Sequence, residues 1–177
     1  MNISMHTMSV DTFVPMLEAL SLILDKGEAH AKTHKLDLVN ARLAPDMFTL
    51  AQQVQLACDN ACEGAARLAA QAPAEFANDQ VTIADLKARI AKAVAYLKSL
   101  PASAFNGAEE RDCTIPIPND AKLVIAMNGL QFLRAWALPH FYFHVVTAYD
   151  ILRHEGVVIG KRDYLFQVGQ FVRPRAG

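Results

Sequence analysis

No run of basic residues occurs anywhere along the chain, and its 17 lysines and arginines are offset by 18 aspartates and glutamates. Nucleic-acid binding driven by phosphate neutralisation needs a clustered positive face, so it is not expected. Long uninterrupted apolar runs are missing too. Charge breaks each of them within a few residues, and no membrane-spanning helix is expected. The opening residues, MNISMHTMSVDTF, lack a basic segment followed by an apolar one, so no secretory leader is read. Cysteine is scarce: Cys58, Cys62 and Cys113. An odd number without a leader fits a reducing, cytoplasmic setting. There is no glycine-rich phosphate loop, no G-x-S-x-G elbow and no H-E-x-x-H helix. Internal repeats and low-complexity tracts are absent as well.

What remains is a chain of 177 residues, 53 % hydrophobic and 20 % charged. That is enough for one globular domain with a real core, read here as 1–177 with 165–177 as a loosely held tail. Ser9 to about Ala31 carries Val10, Phe13, Leu17, Leu20 and Leu24 at three- and four-residue spacing, the signature of an amphipathic helix. Pro15 is tolerable if this helix starts near Thr12. A second helix is expected to open at Pro45–Asp46 and run to about Leu68, with Gln52, Gln53, Gln55, Asp59, Asn60 and Glu63 largely outward and one or two glutamines inward. After a polar connector, Gln71–Val81, Thr82 and Asp85 form a capping-box variant that opens a third helix ending at Leu100. Arg111–Ile117 and Lys122–Met127 read as a short hairpin turning at Pro118-Asn119-Asp120. A short helix over Leu130–Leu138 precedes the last long one.

That last helix, PHFYFHVVTAYDILRHE from Pro139 to Glu155, holds the main histidine and aromatic cluster. Proline suits a first helical turn, and Gly156 suits the position just past the end. On a helical wheel His140, His144, Thr147 and Ile151 form one stripe. Phe141, Val145, Ala148 and Leu152 form the next, and Tyr142, Val146, Tyr149 and Arg153 lie opposite. A helix apolar on most of its circumference is expected to be buried. His140 and His144 therefore border the core, as a metal-ligand pair or as hydrogen-bonded structural residues. Tyr142, Tyr149, Arg153 and His154 are pocket candidates, with Arg153 alternatively pairing with Asp150 or Asp163 to hold the tail. Two further pairs share the i,i+4 spacing. Cys58 and Cys62 sit in an alanine-rich helix and read as small core residues. His30 and His34 lie among polar residues and read as solvated.

The segments LAPDM (Leu43–Met47), Gln53–Val54 with Asp59 after them, and ALPHFYFHVVTAYDILRHEGVVIGKRDYL (Ala137–Leu165) together resemble an uncharacterised bacterial domain-of-unknown-function family within the DinB/YfiT-like metalloenzyme superfamily. The resemblance spans nearly the whole chain. It implies an all-α, four-helix bundle with a long crossover between the second and third helices, here with a short β-hairpin insert before the last helix. It also implies a homodimer. Metal-binding members of the superfamily use one histidine on the second helix and two on the last, so the resemblance points to His140 and His144 as ligands of Zn or Ni. Asp46, Asp59 or Gln53 would stand in for the helix-two histidine that this chain lacks. Two functions follow as expectations. One is a dimeric small-molecule-binding or non-catalytic protein with a degenerate metal site. The other is a divalent-metal-dependent enzyme of the thiol-dependent transferase or isomerase type, with Arg153 orienting an anionic substrate. An interaction protein using the hairpin edge ranks below both, because its prolines oppose strand addition.

Overall fold

The computed structural model describes residues 3–117 and 120–175. In chain order it contains α1 (Met5–His34), α2 (Leu50–Ala69), α3 (Ile83–Ser99), two 3-10 turns (Ala102–Phe105 and Ala108–Glu110), β1 (Asp112–Ile117), β2 (Asp120–Asn128), α4 (Gly129–Phe132), a π-helical turn (Leu133–Ala137), α5 (Leu138–His154), α6 (Lys161–Tyr164) and a last 3-10 turn (Phe166–Phe171). The described residues are mostly helical, with one two-stranded antiparallel sheet.

α1 packs on α2, α3 and α5, and α2 packs on α3 and α5. Their shared core includes Phe13, Leu17, Leu20, Leu24, Val54, Ala61, Leu86, Ile90, Phe141 and Leu152, all at most 2 % exposed. Phe13 meets Phe141 edge-on at 4.9 Å between ring centres, a favoured aromatic geometry. The alanines and Gly64 of α2 let neighbours approach closely. A Cβ on Gly64 would stand 3.3 Å from that of Ala137. α1 is long and apolar enough in composition to cross a membrane, but 56 % of its most apolar stretch is buried inside the structure. That is the behaviour of a core helix.

Three helix boundaries differ from the sequence reading, each for a local reason. α1 begins at Met5, capped by the Ser4 hydroxyl, so Pro15 lies well inside it. The buried neighbours Phe13, Val14, Met16 and Leu17 hold the helix through the lost hydrogen bond. α2 begins at Leu50 and not at Pro45–Asp46, which form a turn. Thr49 and Gln52 complete a reciprocal capping box that sets the start. The last long helix does not open at Pro139. Asn128 and Gln131 cap α4 reciprocally, and α4, the π turn and α5 run on with helical backbone at every junction. Leu138 donates its N–H to the Leu133 carbonyl, five residues back. This wider turn accommodates Pro139, which has no N–H and whose ring would press on the preceding turn of an α-helix.

The capping box at Thr82–Asp85 is present as expected. So is the hairpin, paired from Asp112↔Asn128 to Ile117↔Asp120 with an irregularity between Pro116 and Ile117. Of its expected turn, Pro118 and Asn119 lie outside the described residues. The tail is not merely extended: α6 packs against α1, and Lys26 pairs with Asp163 at 2.6 Å. His30 also belongs to this end, since its Nε2 lies 3.1 Å from the Glu155 carbonyl. It therefore ties α1 to the end of α5 rather than being merely solvated.

Gly129 marks the tightest approach outside the helical core. A Cβ there would overlap the carbonyl oxygen of Ala108. Gly129→Ala is therefore expected to cost about 2 kcal/mol through forced backbone displacement, read as a lower urea midpoint. An unchanged midpoint would contradict this close packing.

Candidate functional site

The stripe of α5 that carries histidines faces α2. His144 is 4 % exposed and Gln53, opposite it, 1 %. Oε1 of Gln53 sits 2.7 Å from Nδ1 of His144. The glutamine amide is oriented by its other end, since Nε2 donates to the Phe48 carbonyl at 3.5 Å. Oε1 must therefore accept, and His144 must donate from Nδ1. The neutral ring is thus the Nδ1–H tautomer, with its lone pair on Nε2. Burial, reinforced by the neighbouring His140, pulls the His144 pKa down to about 4. The two imidazole rings lie 5.3 Å apart, tilted by 32°.

The other candidate metal donors go elsewhere. Asp46 is exposed in the turn before α2. Asp59 pairs with Arg89 at 2.5 Å. Arg89 is 2 % exposed and also donates to the Ala77 carbonyl at 2.7 Å and Gln80 Oε1 at 3.1 Å, tying α2, α3 and the connector together. Burial raises the Asp59 carboxyl above its usual range even though Arg89 opposes this. Gln53 is engaged by His144. Among the described residues no three His, Cys, Asp or Glu side chains converge where they could hold an ion. A catalytic zinc site normally takes three protein ligands and a structural one four. Two imidazoles do not fit a resident divalent ion within one chain. Cys58 and Cys62 are free and buried, and burial pushes both thiols up, Cys62 to about 12. Neither has thiolate character at neutral pH.

One turn from His144 a different site opens. A cleft of about 240 Å³ lies between α2, the π turn and β1, with Asn60, Arg67, Phe132, Trp136 and His140 around it and Ile115 and Pro116 closing one side. Asn60 Nδ2, Arg67 Nε and His140 Nδ1 are all buried without a hydrogen-bond partner. Arg67 is fixed by its other nitrogens, Nη1 on the Thr114 carbonyl and Nη2 on Glu63, each at 2.9 Å. It also lies over the Phe132 ring at 5.7 Å. Trp136 meets His140 edge-on at 5.3 Å.

The sequence profile of a domain of unknown function, DUF1993, matches residues 5–165. The chain belongs to this family. A crystal structure of a DinB family member protein from Shewanella denitrificans is 40 % identical, covers 90 % of each chain and superposes with a TM-score of 0.82. No curated protein matches the chain. The expected resemblance to an uncharacterised DinB-like family therefore holds.

The DUF1993 chain does not gather its pocket candidates around the histidines. Tyr149 lines a separate pocket of about 210 Å³ with Val146, Asp150, Lys161 and Tyr164. Tyr142 packs edge-on to Phe141 at 5.5 Å, and partial burial raises its hydroxyl pKa. His154 is exposed. Arg153 does hold the tail, but through the Ile159 carbonyl, while Asp163 pairs with Lys26. Of the cleft residues, His140 is marked by its spacing, whereas Asn60 and Glu63 look like an ordinary outer face. The available signal was the stripe Asn60, Gly64, Arg67, in which a glycine separates two polar residues on one face of α2.

Proposed function

We propose that this DUF1993 protein is a cytoplasmic, dimeric, small-molecule-binding four-helix bundle of the DinB/YfiT type, with the connector after α2 as its long crossover. In this reading His140 serves a polar cleft, His144 is held by Gln53 one turn away, and neither serves a resident metal. The observation that carries it is the pairing of His144 with buried Gln53 beside a cleft whose lining residues Asn60, Arg67 and His140 each keep one buried nitrogen unpartnered. Buried polar groups in native proteins are nearly always paired, so a cluster of unpaired ones argues for an absent partner. The π turn adds support, because such turns recur at functional sites. An NMR screen with a chemically diverse fragment set is expected to perturb amides around Asn60, Arg67 and His140. No perturbation there by any fragment would contradict the reading.

The dimer rests on α5, whose outer face leaves Phe143 56 % and Val146 40 % exposed, one turn apart. A second copy is the occupant proposed for this face. Light scattering at micromolar concentration is expected to give twice the chain mass, reduced to one chain by Phe143→Glu. A monomeric wild-type chain would contradict it.

The alternative is a divalent-metal-dependent enzyme of the thiol-dependent transferase or isomerase type using His140 and His144. The free Nε2 lone pair of His144 favours it, since ligating histidines usually donate their other nitrogen to a fixed acceptor. The donor count weighs against it.

A further inference from the structure

We infer that residues 161–175 dock the protein peripherally on an anionic lipid surface, an interaction that goes beyond the small-molecule-binding reading and does not depend on it. The chain is anchored as far as Val157 and Ile159, which are 2 % and 3 % exposed. From Lys161 on, no described residue is buried. This segment reverses the usual arrangement of a surface helix. In the 3-10 turn Phe166–Phe171 the side chains repeat every three residues. The stripe of Gln167 and Gln170 is the one toward the bundle, since Gln167 Nε2 lies 3.3 Å from Sδ of Met16 on α1. Phe166, Val168 and Phe171 occupy the other two stripes and are 60 %, 47 % and 68 % exposed, with Val172 following at 72 %. A segment folded onto a core turns its apolar side inward. Here that side faces outward, so it serves an external surface. Charge selects which surface. Lys161, Arg162, Arg173 and Arg175 stand against Asp163 alone, in a chain whose net charge is -1. Asp163 is already engaged by Lys26 and the Gly160 N–H. Among the described residues none of the four cations pairs with a carboxylate. A second copy on this face would set the same cations against one another across a two-fold axis, which like-charge repulsion opposes. Anionic headgroups complement them, and the neighbouring phenylalanines and valines enter the headgroup boundary as the apolar side of an interfacial segment does.

Co-sedimentation of the intact chain with vesicles tests this, using phosphatidylcholine alone and phosphatidylcholine with about 30 % phosphatidylserine, an anionic lipid. Association with the anionic vesicles only is expected at low salt, and its loss at about 1 M salt, where charges are screened within a few ångströms. Arg173→Gln/Arg175→Gln is expected to weaken association about tenfold or more through the two lost charges. Phe166→Ser/Phe171→Ser is expected to weaken it by a similar factor. Because all four side chains are exposed, both double variants should keep the wild-type thermal midpoint. Lys122→Gln, an exposed charge on β2, should leave association unchanged. No association with anionic vesicles at low salt would overturn the inference. So would equal association with neutral ones, or full association of both double variants. If Phe166→Ser/Phe171→Ser instead halves the particle mass by light scattering, the apolar side covers a second copy and the inference falls. The fragment screen reads amides around Asn60, Arg67 and His140, so the small-molecule-binding reading stands or falls separately.

Discussion

Arg89→Met is expected to lower the unfolding free energy by about 2 kcal/mol, the cost of removing a buried charged donor from a half-buried carboxylate and two further acceptors. Arg89 is 2 % exposed and serves Asp59, the Ala77 carbonyl and Gln80 Oε1 at once. Gln55 joins the same cluster through Gln80 at 3.0 Å, and Phe76 lies under the guanidinium at 4.9 Å. The variant leaves the half-buried Asp59 carboxylate without its partner, while Gln80 Oε1 and the Ala77 carbonyl each keep one other donor, Gln55 Nε2 and Gln80 Nε2. Those are the groups that join the α2–α3 connector to the helices. Urea denaturation reads the loss, and Arg89→Met/Asp59→Leu should recover part of it by removing the stranded charge. A single variant within 0.5 kcal/mol of wild type would mean the connector is held by other contacts.

The second large effect is on pH. His144 has a folded pKa of about 4 against an ordinary value of 6.5, because burial opposes its charge and His140 adds to the opposition. Above pH 6.5 both folded and unfolded chains hold it neutral, and its contribution is complete. As pH falls below 6.5 the unfolded chain takes up a proton that the folded chain refuses. Stability is therefore lost between pH 6.5 and about 4, by up to about 3 kcal/mol, and the loss levels off once the folded ring also protonates. Urea midpoints of wild type and His144→Gln, compared across this window, isolate the residue. The wild-type curve should fall more steeply on acidification. Parallel curves would mean that His144 is not held neutral by burial.

Why some of this was legible in the sequence and some was not follows from where each signal is encoded. The stripe Leu86, Ile90, Ala93, Leu97 and the box Thr82–Asp85 are local patterns, and α3 starts and faces inward as they imply. The hairpin is local too. The start of α2 was encoded twice, by Pro45–Asp46 and by Thr49–Gln52, and the reciprocal cap prevails because it satisfies two backbone donors. Pro139 reads as a helix opener only until the chain before it is seen to be capped at Asn128 and widened at Leu133–Ala137. Propensity alone does not encode that widening.

The site was less legible because its pairings are long-range. Gln53 turns inward to meet a histidine on α5, and Asp59 is drawn to an arginine on α3. A polar residue on an alanine-rich helix gives no local sign of which it will do. The histidine pair itself was visible from its spacing. Its partner was named among possible metal donors but serves as a hydrogen-bond acceptor.

The central claim is that His140 lines a binding cleft, that His144 is held by Gln53 one turn away, and that the two do not form a resident metal centre. Elemental analysis of untagged protein, before and after dialysis against a chelator, tests it most directly. The account predicts well under one equivalent of Zn, Ni or Mn per chain, and a thermal midpoint unmoved by added divalent ions or by chelator. About one equivalent per chain, lost in the His140→Ala/His144→Ala variant, would contradict it and make the metal-dependent enzyme the leading reading.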